Sequence, residues 1–206
     1  MVQPLTADEF ADKANVSRET LHKFQKYVEL LQKWQKAINL VGGDTLDDIW
    51  RRHILDSVQI ADYVPSETRI FTDLGSGAGF PGMALSILLG IEVNLVESSG
   101  KKIAFLREVA RTVDAKVVLH QARIENLKLP KSDLVTARAL APLGKLLDYA
   151  EPNLAPDGIC LFLKGARVDE ELTEAQKTRN MTVERFQSVT DPNGVILSIR
   201  DIARVG

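Results

Sequence analysis

Apolar residues Leu21, Phe24, Val28, Leu31, Trp34 and Ile38 recur at steps of three and four between Ser17 and Val41, the spacing of one broad helical face. The pattern predicts a long amphipathic helix ended by Gly42-Gly43. Thr45, followed three positions later by Asp48, reads as a capping box opening a second helix that runs to about Ala61. Beyond Arg69 the rhythm changes, and short apolar runs alternate with helical stretches. Strands are expected at Ile70 to Leu74, Ile91 to Val96, Val117 to Leu119, Leu134 to Ala137, Ile159 to Leu163, Val183 to Val189 and Val195 to Ile199. Helices are expected at Gly82 to Leu89, Gly100 to Val113, Leu143 to Tyr149 and Val168 to Thr178. Such alternation predicts an α/β fold with a parallel sheet. No helix separates the last two strands, and the turn Thr190-Asp191-Pro192-Asn193-Gly194 is rich in residues that favour reversal, so an antiparallel hairpin is expected there. The chain reads as a single domain over 1–206, with a helical extension at 1–64 and an α/β core at 65–206.

The first strand runs directly into Asp73-Leu74-Gly75-Ser76-Gly77-Ala78-Gly79-Phe80-Pro81. A glycine-dense turn between strand and helix lets backbone N–H groups approach a ligand that any Cβ would push away, and the helix start adds its positive end. Glu97, closing the next strand, lies at the distance from this turn at which a carboxylate meets two ribose hydroxyls. Gly77 to Gly82 also satisfies the dinucleotide pattern G-x-G-x-x-G, so a nicotinamide cofactor is a competing reading. Two details favour S-adenosylmethionine. Asp73 suits an ammonium and repels pyrophosphate, and Pro81 occupies the position where a dinucleotide turn begins its helix. The terminal hairpin points the same way. The expectation is therefore a Rossmann-like class I S-adenosylmethionine-dependent methyltransferase fold, with a mostly parallel seven-stranded sheet, a C-terminal antiparallel hairpin and an N-terminal helical extension.

Composition adds exclusions. In 206 residues the formal net charge is only -2, so any RNA contact must come from a local basic patch. Cys160, the single cysteine, lies in an apolar run and reads as a buried, inert thiol. His22, His53 and His120 are far apart without ligand-spaced neighbours, so no metal is expected. The first residues lack the build of a signal peptide and no apolar run reaches bilayer length, which leads us to expect a soluble cytoplasmic protein.

Seven ordered motifs add specificity: Asn39-Leu40; Arg52-His53-Ile54-Leu55-Asp56-Ser57; Asp73 to Gly82; Val96-Glu97-Ser98 with Gly100-Lys101-Lys102; Phe105-Leu106-Arg107; Ala137-Arg138-Ala139; and Leu163-Lys164-Gly165. In these the chain resembles the bacterial small-subunit ribosomal RNA guanine-N7 methyltransferases, also called glucose-inhibited division protein B. The resemblance implies methyl transfer from S-adenosylmethionine to N7 of a guanine in 16S rRNA. It implies that Gly75 and Phe80 border the cofactor, that Glu97 holds its ribose, that Ile124 and Glu125 flank its adenine, and that Arg138 closes the site. Val41 and Ala137 stand where the family commonly has threonine and serine.

Guanine N7 is an exposed lone pair at neutral pH, so its methylation needs no general base. That fits the absence of an evident Ser-His-Asp or paired-carboxylate constellation. Arg138 is expected as a positioning group, on the guanine O6, a phosphate or the cofactor rim. Arg51, Arg52 and His53 form a candidate RNA-facing cluster, with Lys164 near the same sheet edge. His53 reads more readily as a hydrogen-bonded structural histidine, with Asp56 as its partner or as an anchor for Arg52. Lys23, Lys26, Lys33 and Lys36 line one side of the long helix as a candidate strip for phosphate contacts, and Lys101, Lys102 and Arg107 surround the next helix start; for both groups a solvated face is the plainer reading. Trp34 and Trp50 fall at core spacing. The sequence-level alternatives are a methyltransferase for a small molecule or another RNA, a nicotinamide oxidoreductase, and a non-enzymatic RNA-binding module. A monomer is expected.

Overall fold

The computed structural model describes residues 3–205. Its N-terminal part opens with α1 (Ala7–Ala14) and α2 (Arg18–Gln35). An unforeseen capping box starts α1: the Glu9 amide donates to the Thr6 hydroxyl at 3.2 Å and the Thr6 amide to the Glu9 carboxylate at 2.8 Å. Ser17 caps α2 by accepting from the Thr20 amide at 3.1 Å.

Helix α2 stops at Gln35 rather than near Val41, because the Gln35 side chain takes over the backbone groups beyond it. Its Oε1 accepts from the Leu40 and Val41 amides at 2.9 and 3.1 Å, and its Nε2 donates to the Val41 carbonyl at 2.9 Å. The expected capping box at Thr45 does not form. Thr45 lies inside a 3-10 stretch, Gly43–Asp48, and its hydroxyl donates back to the Gly42 carbonyl at 2.6 Å. Asp48 instead accepts from the Leu5 amide at 2.7 Å and from Arg51 at 2.8 Å. A π-helical turn, Trp50–Leu55, then merges into one α-helical turn, α3 (Asp56–Val58), in place of a regular helix to Ala61.

The core alternates strand and helix: β1 (Phe71–Leu74), α4 (Gly82–Leu89), β2 (Val93–Glu97), α5 (Gly100–Val113), β3 (Val117–Gln121), β4 (Ser132–Arg138), α6 (Leu143–Ala150), β5 (Leu154–Lys164), α7 (Val168–Gln176), β6 (Arg179–Gln187) and β7 (Val195–Arg204). These strands form one seven-stranded sheet in the order β3-β2-β1-β4-β5-β7-β6. The pairs among β1 to β5 are parallel, and β7 runs antiparallel to both β5 and β6. The sheet and its terminal hairpin are those the apolar runs predict.

Neighbouring strand residues feed separate cores, as the pleat requires. Leu95, Leu134 and Leu161 join α4, α5 and the N-terminal helices, whereas Val96, Val135 and Cys160 join α6 and α7. Residues Gly82 to Ile87 of α4 are all buried, since that helix is apolar all round and is covered by the sheet on one side and by α2 and α3 on the other. Both tryptophans pack: Trp50 tilts against Phe10 at 5.4 Å and Trp34 meets Phe105 edge-on at 5.9 Å. Cys160 is fully buried, and that burial pushes its thiol well up from its usual range. No helix of the described residues is long and apolar enough to cross a membrane.

Strand β1 sits beside β4, yet its own crossover leads the other way, to β2. A crevice opens where parallel strands diverge in this manner, at their carboxyl ends. Tyr27 ties α2 to that crevice: it is fully buried, stacks on Phe80 at 5.3 Å and donates its hydroxyl to the Ala78 carbonyl in the glycine turn. Tyr27→Phe, which removes only the donor, is expected to lower stability by about 1–3 kcal/mol in urea unfolding while the far-UV spectrum stays unchanged.

Candidate functional site

At the end of β1 the backbone turns through Gly75 and Gly79 at φ +65 and +96. A Cβ at Gly79 would come within 2.5 Å of the Tyr27 hydroxyl and 2.8 Å of Met83 Cβ, so that position has no room for a side chain, whereas at Gly75 it would meet the end of the Leu140 side chain and the left-handed φ is the stronger constraint. Glu97, at the end of β2, fastens the turn from the side. Its carboxylate accepts from the Gly77 amide at 3.1 Å and from the Ser99 amide at 2.7 Å. Each oxygen keeps a free lone pair, enough to receive two hydroxyls of a vicinal diol.

Two cavities meet at this turn. The larger, about 740 Å³, is lined by Gly75, Gly77 and Phe80, by Arg52 and His53, by Leu163 to Arg167, and by the β6–β7 turn from Ser188 to Gly194. The smaller, about 260 Å³, is lined by Glu97, Ile124, Glu125, Leu140 and Tyr149. Gly75, Lys102, Arg138 and Ala139 border both. Ala139 carries φ +51, a left-handed conformation that a non-glycine residue seldom adopts and that recurs at functional sites.

Arg138, at the tip of β4, is held on four sides. It donates to the Arg52 carbonyl at 3.0 Å, to Asp56 Oδ2 at 3.0 Å and to His53 Nδ1 at 2.9 Å, and its guanidinium lies 4.9 Å from the centre of the Phe80 ring. Because Nδ1 of His53 accepts, Nε2 carries the proton and donates to Thr45 Oγ1 at 2.7 Å. Burial, with the Arg138 and Arg52 charges adding to it, pushes His53 down to about 3. Its ring stacks on Phe80 at 5.2 Å. His53 is a neutral structural group, and Asp56 serves Arg138 rather than His53 or Arg52.

Three candidates leave the ligand-facing set. Asp73 lines neither cavity: its side chain is fully buried beneath the turn, against Gly82, where a Cβ would approach Asp73 Cβ to 2.6 Å. Its Oδ1 accepts from the Thr136 hydroxyl at 2.7 Å and its Oδ2 has no hydrogen-bond partner. Direct contact with a ligand ammonium is not what this position offers. Gly79 is closed off by Tyr27 and Met83 and serves the turn itself. Arg51 faces the extension, bonded to Asp48 at 2.8 Å and to the Gln3 carbonyl at 2.8 Å. Gly75, Gly77, Phe80, Glu97, Ile124, Glu125, Arg138, Arg52, His53 and Lys164 all border the cavities. The sequence marks Thr190 to Gly194 only as a reversal, and it does not mark Arg167 as a site residue. Arg167 follows Lys164-Gly165 in a loop between strand and helix, and that basic, glycine-containing loop was the available signal.

The donor set suits an adenosyl sulfonium cofactor. Carboxylates Glu97 and Glu125 line the smaller cavity, the turn offers a surface without side chains, and a pyrophosphate there would meet two anions. No group of three His, Cys, Asp or Glu among the described residues has the geometry to hold a metal. Fold and site together define a class I S-adenosylmethionine-dependent methyltransferase. Solved structures agree on the fold: the glycopeptide N-methyltransferase MtfA with S-adenosyl-L-homocysteine superimposes with TM-score 0.60, at 14% identity over 71% of this chain and 89% of that one. TYW2 of M. jannaschii with AdoMet gives TM-score 0.55, at 14% identity over 75% and 77%. A family model described as rRNA small subunit methyltransferase G matches residues 20–196. Ribosomal RNA small subunit methyltransferase G of Rhodospirillum rubrum is 52% identical over 97% of this chain and 100% of its own length, and that of Paramagnetospirillum magneticum 50% identical over 96% of each. The chain belongs to the rRNA small subunit methyltransferase G family.

Glu97→Ala removes a charged acceptor worth about 1.5–3 kcal/mol, so S-adenosylhomocysteine should bind about 10- to 100-fold more weakly by calorimetry. The buried carboxyl of Asp73 generates a second expectation. Burial raises it from 3.8 to about 6, against the lowering pull of Thr136, Ser76, the Gly82 amide and Arg138. A raised folded-state value contributes stability that is full below pH 3.8 and lost as pH rises through about 6. Relative to wild type, Asp73→Asn should therefore gain about 2 kcal/mol on going from pH 4 to pH 7, read from urea midpoints.

Proposed function

We infer that this enzyme methylates N7 of a guanine in 16S rRNA of the small ribosomal subunit, using S-adenosylmethionine. The observation that carries the RNA half of this reading is the state of the cations around the larger cavity. Lys164 is paired with Glu171 at 2.5 Å and Arg138 with Asp56 at 3.0 Å, whereas Arg52, Lys102 and Arg167 form no ion pair among the described residues. Unpaired cations beside a wide opening suit a polyanion. A small-molecule methyltransferase would require an apolar lid in their place.

Bound S-adenosylmethionine supplies an electrophilic methyl on sulfonium. The residues provide alignment, which in well-oriented systems is worth up to roughly 7–11 kcal/mol. Glu97, fastened by the Gly77 amide, borders the smaller cavity, where Ile124 and Glu125 would flank the adenine. Arg138, pinned on Phe80, stands between the cavities and orients the acceptor. The rings of Tyr27, Phe80 and His53 form an apolar backing to the turn. No side chain is needed as a base, in keeping with a neutral His53 whose nitrogens are both engaged. The reading includes a monomer, and a ribosomal substrate supports a cytoplasmic location.

Mass spectrometry of 16S rRNA from cells lacking this protein tests the reading. One N7-methylguanine should disappear and return with the wild-type gene. Arg52→Ala and Arg167→Ala should each raise KM for the subunit and reduce the salt slope of binding by about 0.7–0.9, with S-adenosylhomocysteine affinity unchanged.

A further inference from the structure

The two oxygens of one carboxylate divide their work between the two cavities. Asp56 Oδ2 accepts from Arg138 Nη1 at 3.0 Å. Asp56 Oδ1 accepts from the Thr190 hydroxyl at 2.6 Å and from Gln59 Nε2 at 2.9 Å. Gln59 extends the link by accepting from the Val189 amide at 2.8 Å and donating to Ser188 Oγ at 3.2 Å. Residues 56–59, from the N-terminal extension, thus join the tip of β4 to a turn more than a hundred residues away in sequence. Arg138 borders both cavities, while Ser188 and Thr190 belong to the wall of the larger one.

We propose that Asp56 is a positioning residue for methyl transfer, fixing the Arg138 guanidinium at the cofactor mouth through one oxygen and the Ser188–Thr190 wall of the acceptor cavity through the other. The acceptor half rests on the RNA reading above; the cofactor half does not. Arg138 has five N–H donors and a stem with several rotatable bonds, and its Phe80 contact has little directionality. Its bonds to Asp56, His53 and the Arg52 carbonyl set its orientation. His53 is itself fixed by Thr45, so Asp56 is the partner that also reaches the far wall.

The two oxygens are separable by chemistry. In Asp56→Asn the donors Thr190 and Gln59 select the amide oxygen for their side, which turns the NH2 group toward Arg138 and breaks only that link. Thr190→Val removes the direct bond on the other side and leaves the Gln59 bond to Oδ1 in place. Asp56→Asn should weaken S-adenosylhomocysteine binding at least fivefold by calorimetry, and Asp56→Glu should recover most of that loss. Thr190→Val should leave this affinity within twofold and raise KM for the small subunit at least threefold. The proposal is overturned if Asp56→Asn, with an unchanged melting temperature, binds S-adenosylhomocysteine within twofold of wild type. It is also overturned if Thr190→Val leaves KM unchanged, or if Asp56→Glu is as impaired as Asp56→Asn. Should Asp56→Asn fail to fold, the Asp56→Glu and Thr190→Val measurements decide. Failure of the RNA reading would show differently, as wild-type protein that binds S-adenosylhomocysteine but never methylates the subunit.

Discussion

Everything at the site depends on a stack of rings. Phe80 stacks on Tyr27 at 5.3 Å and on His53 at 5.2 Å with interplanar angles of 22° each, and the Arg138 guanidinium also lies over it, 4.9 Å from its centroid. The turn they support is poor in anchors of its own: from Gly75 to Gly79 it offers one hydroxyl, one methyl and three glycines. Such a segment loses much conformational entropy on ordering, which outside contacts must offset. Phe80 and the Tyr27 bond to Ala78 supply those contacts from the buried side. The N-terminal helices are therefore the back wall of the cofactor crevice, which explains why α4 beneath them is apolar on every face.

Charge at the site is sorted by whether it is already engaged. Glu97 is committed to two backbone amides yet retains accepting capacity, so it is rigid before any ligand arrives. Lys164 and Arg138 are cations whose partners hold them still, and they position. Arg52, Lys102 and Arg167, which also line the larger cavity, form no ion pair among the described residues. Placing fixed cations inside and free ones at the rim separates alignment from attraction. Exposed charges contribute little to folding in any case, so leaving them unpaired costs the fold almost nothing.

Much of this was legible in the residues, and the parts that were not share a cause. Strand runs, the helix bounds Gly82 to Leu89 and Gly100 to Val113, and the terminal hairpin arise from local periodicity and turn chemistry, which act over a few residues. The glycine turn and Glu97 are legible because sheet geometry fixes how far apart two adjacent strand tips lie. By contrast, the true end of α2 depends on the Gln35 side chain, and Thr45 is diverted from capping by Gly42 and His53, contacts that no periodicity encodes. Asp73 shows the same limit at the site. Its type and position in the motif suggest ligand contact, but the pleat turns it beneath α4, where its field reaches the crevice only through protein. The wall formed by Ser188 to Gly194 is more remote still, since its place beside residues 56–59 is decided by how the last hairpin folds back across the sheet.

A chain with a net charge of -2 can still approach RNA because screening makes recognition local. At physiological ionic strength the Debye length is about 8 Å, so a phosphate at the mouth of the larger cavity would sense the cations that line it far more than charges elsewhere on the protein. Net charge then governs only the distant approach. Once the strand is seated, the chemistry asks for no proton transfer, and selectivity falls to shape and alignment. That places the demand on rigid elements: the tips of β1, β2 and β4, and the ring stack that ties them to the N-terminal helices. A site built this way tolerates changes among its rim cations, each of which contributes a fraction of the affinity, but has no substitute for a misplaced Phe80 or Arg138, because alignment is lost for every substrate at once.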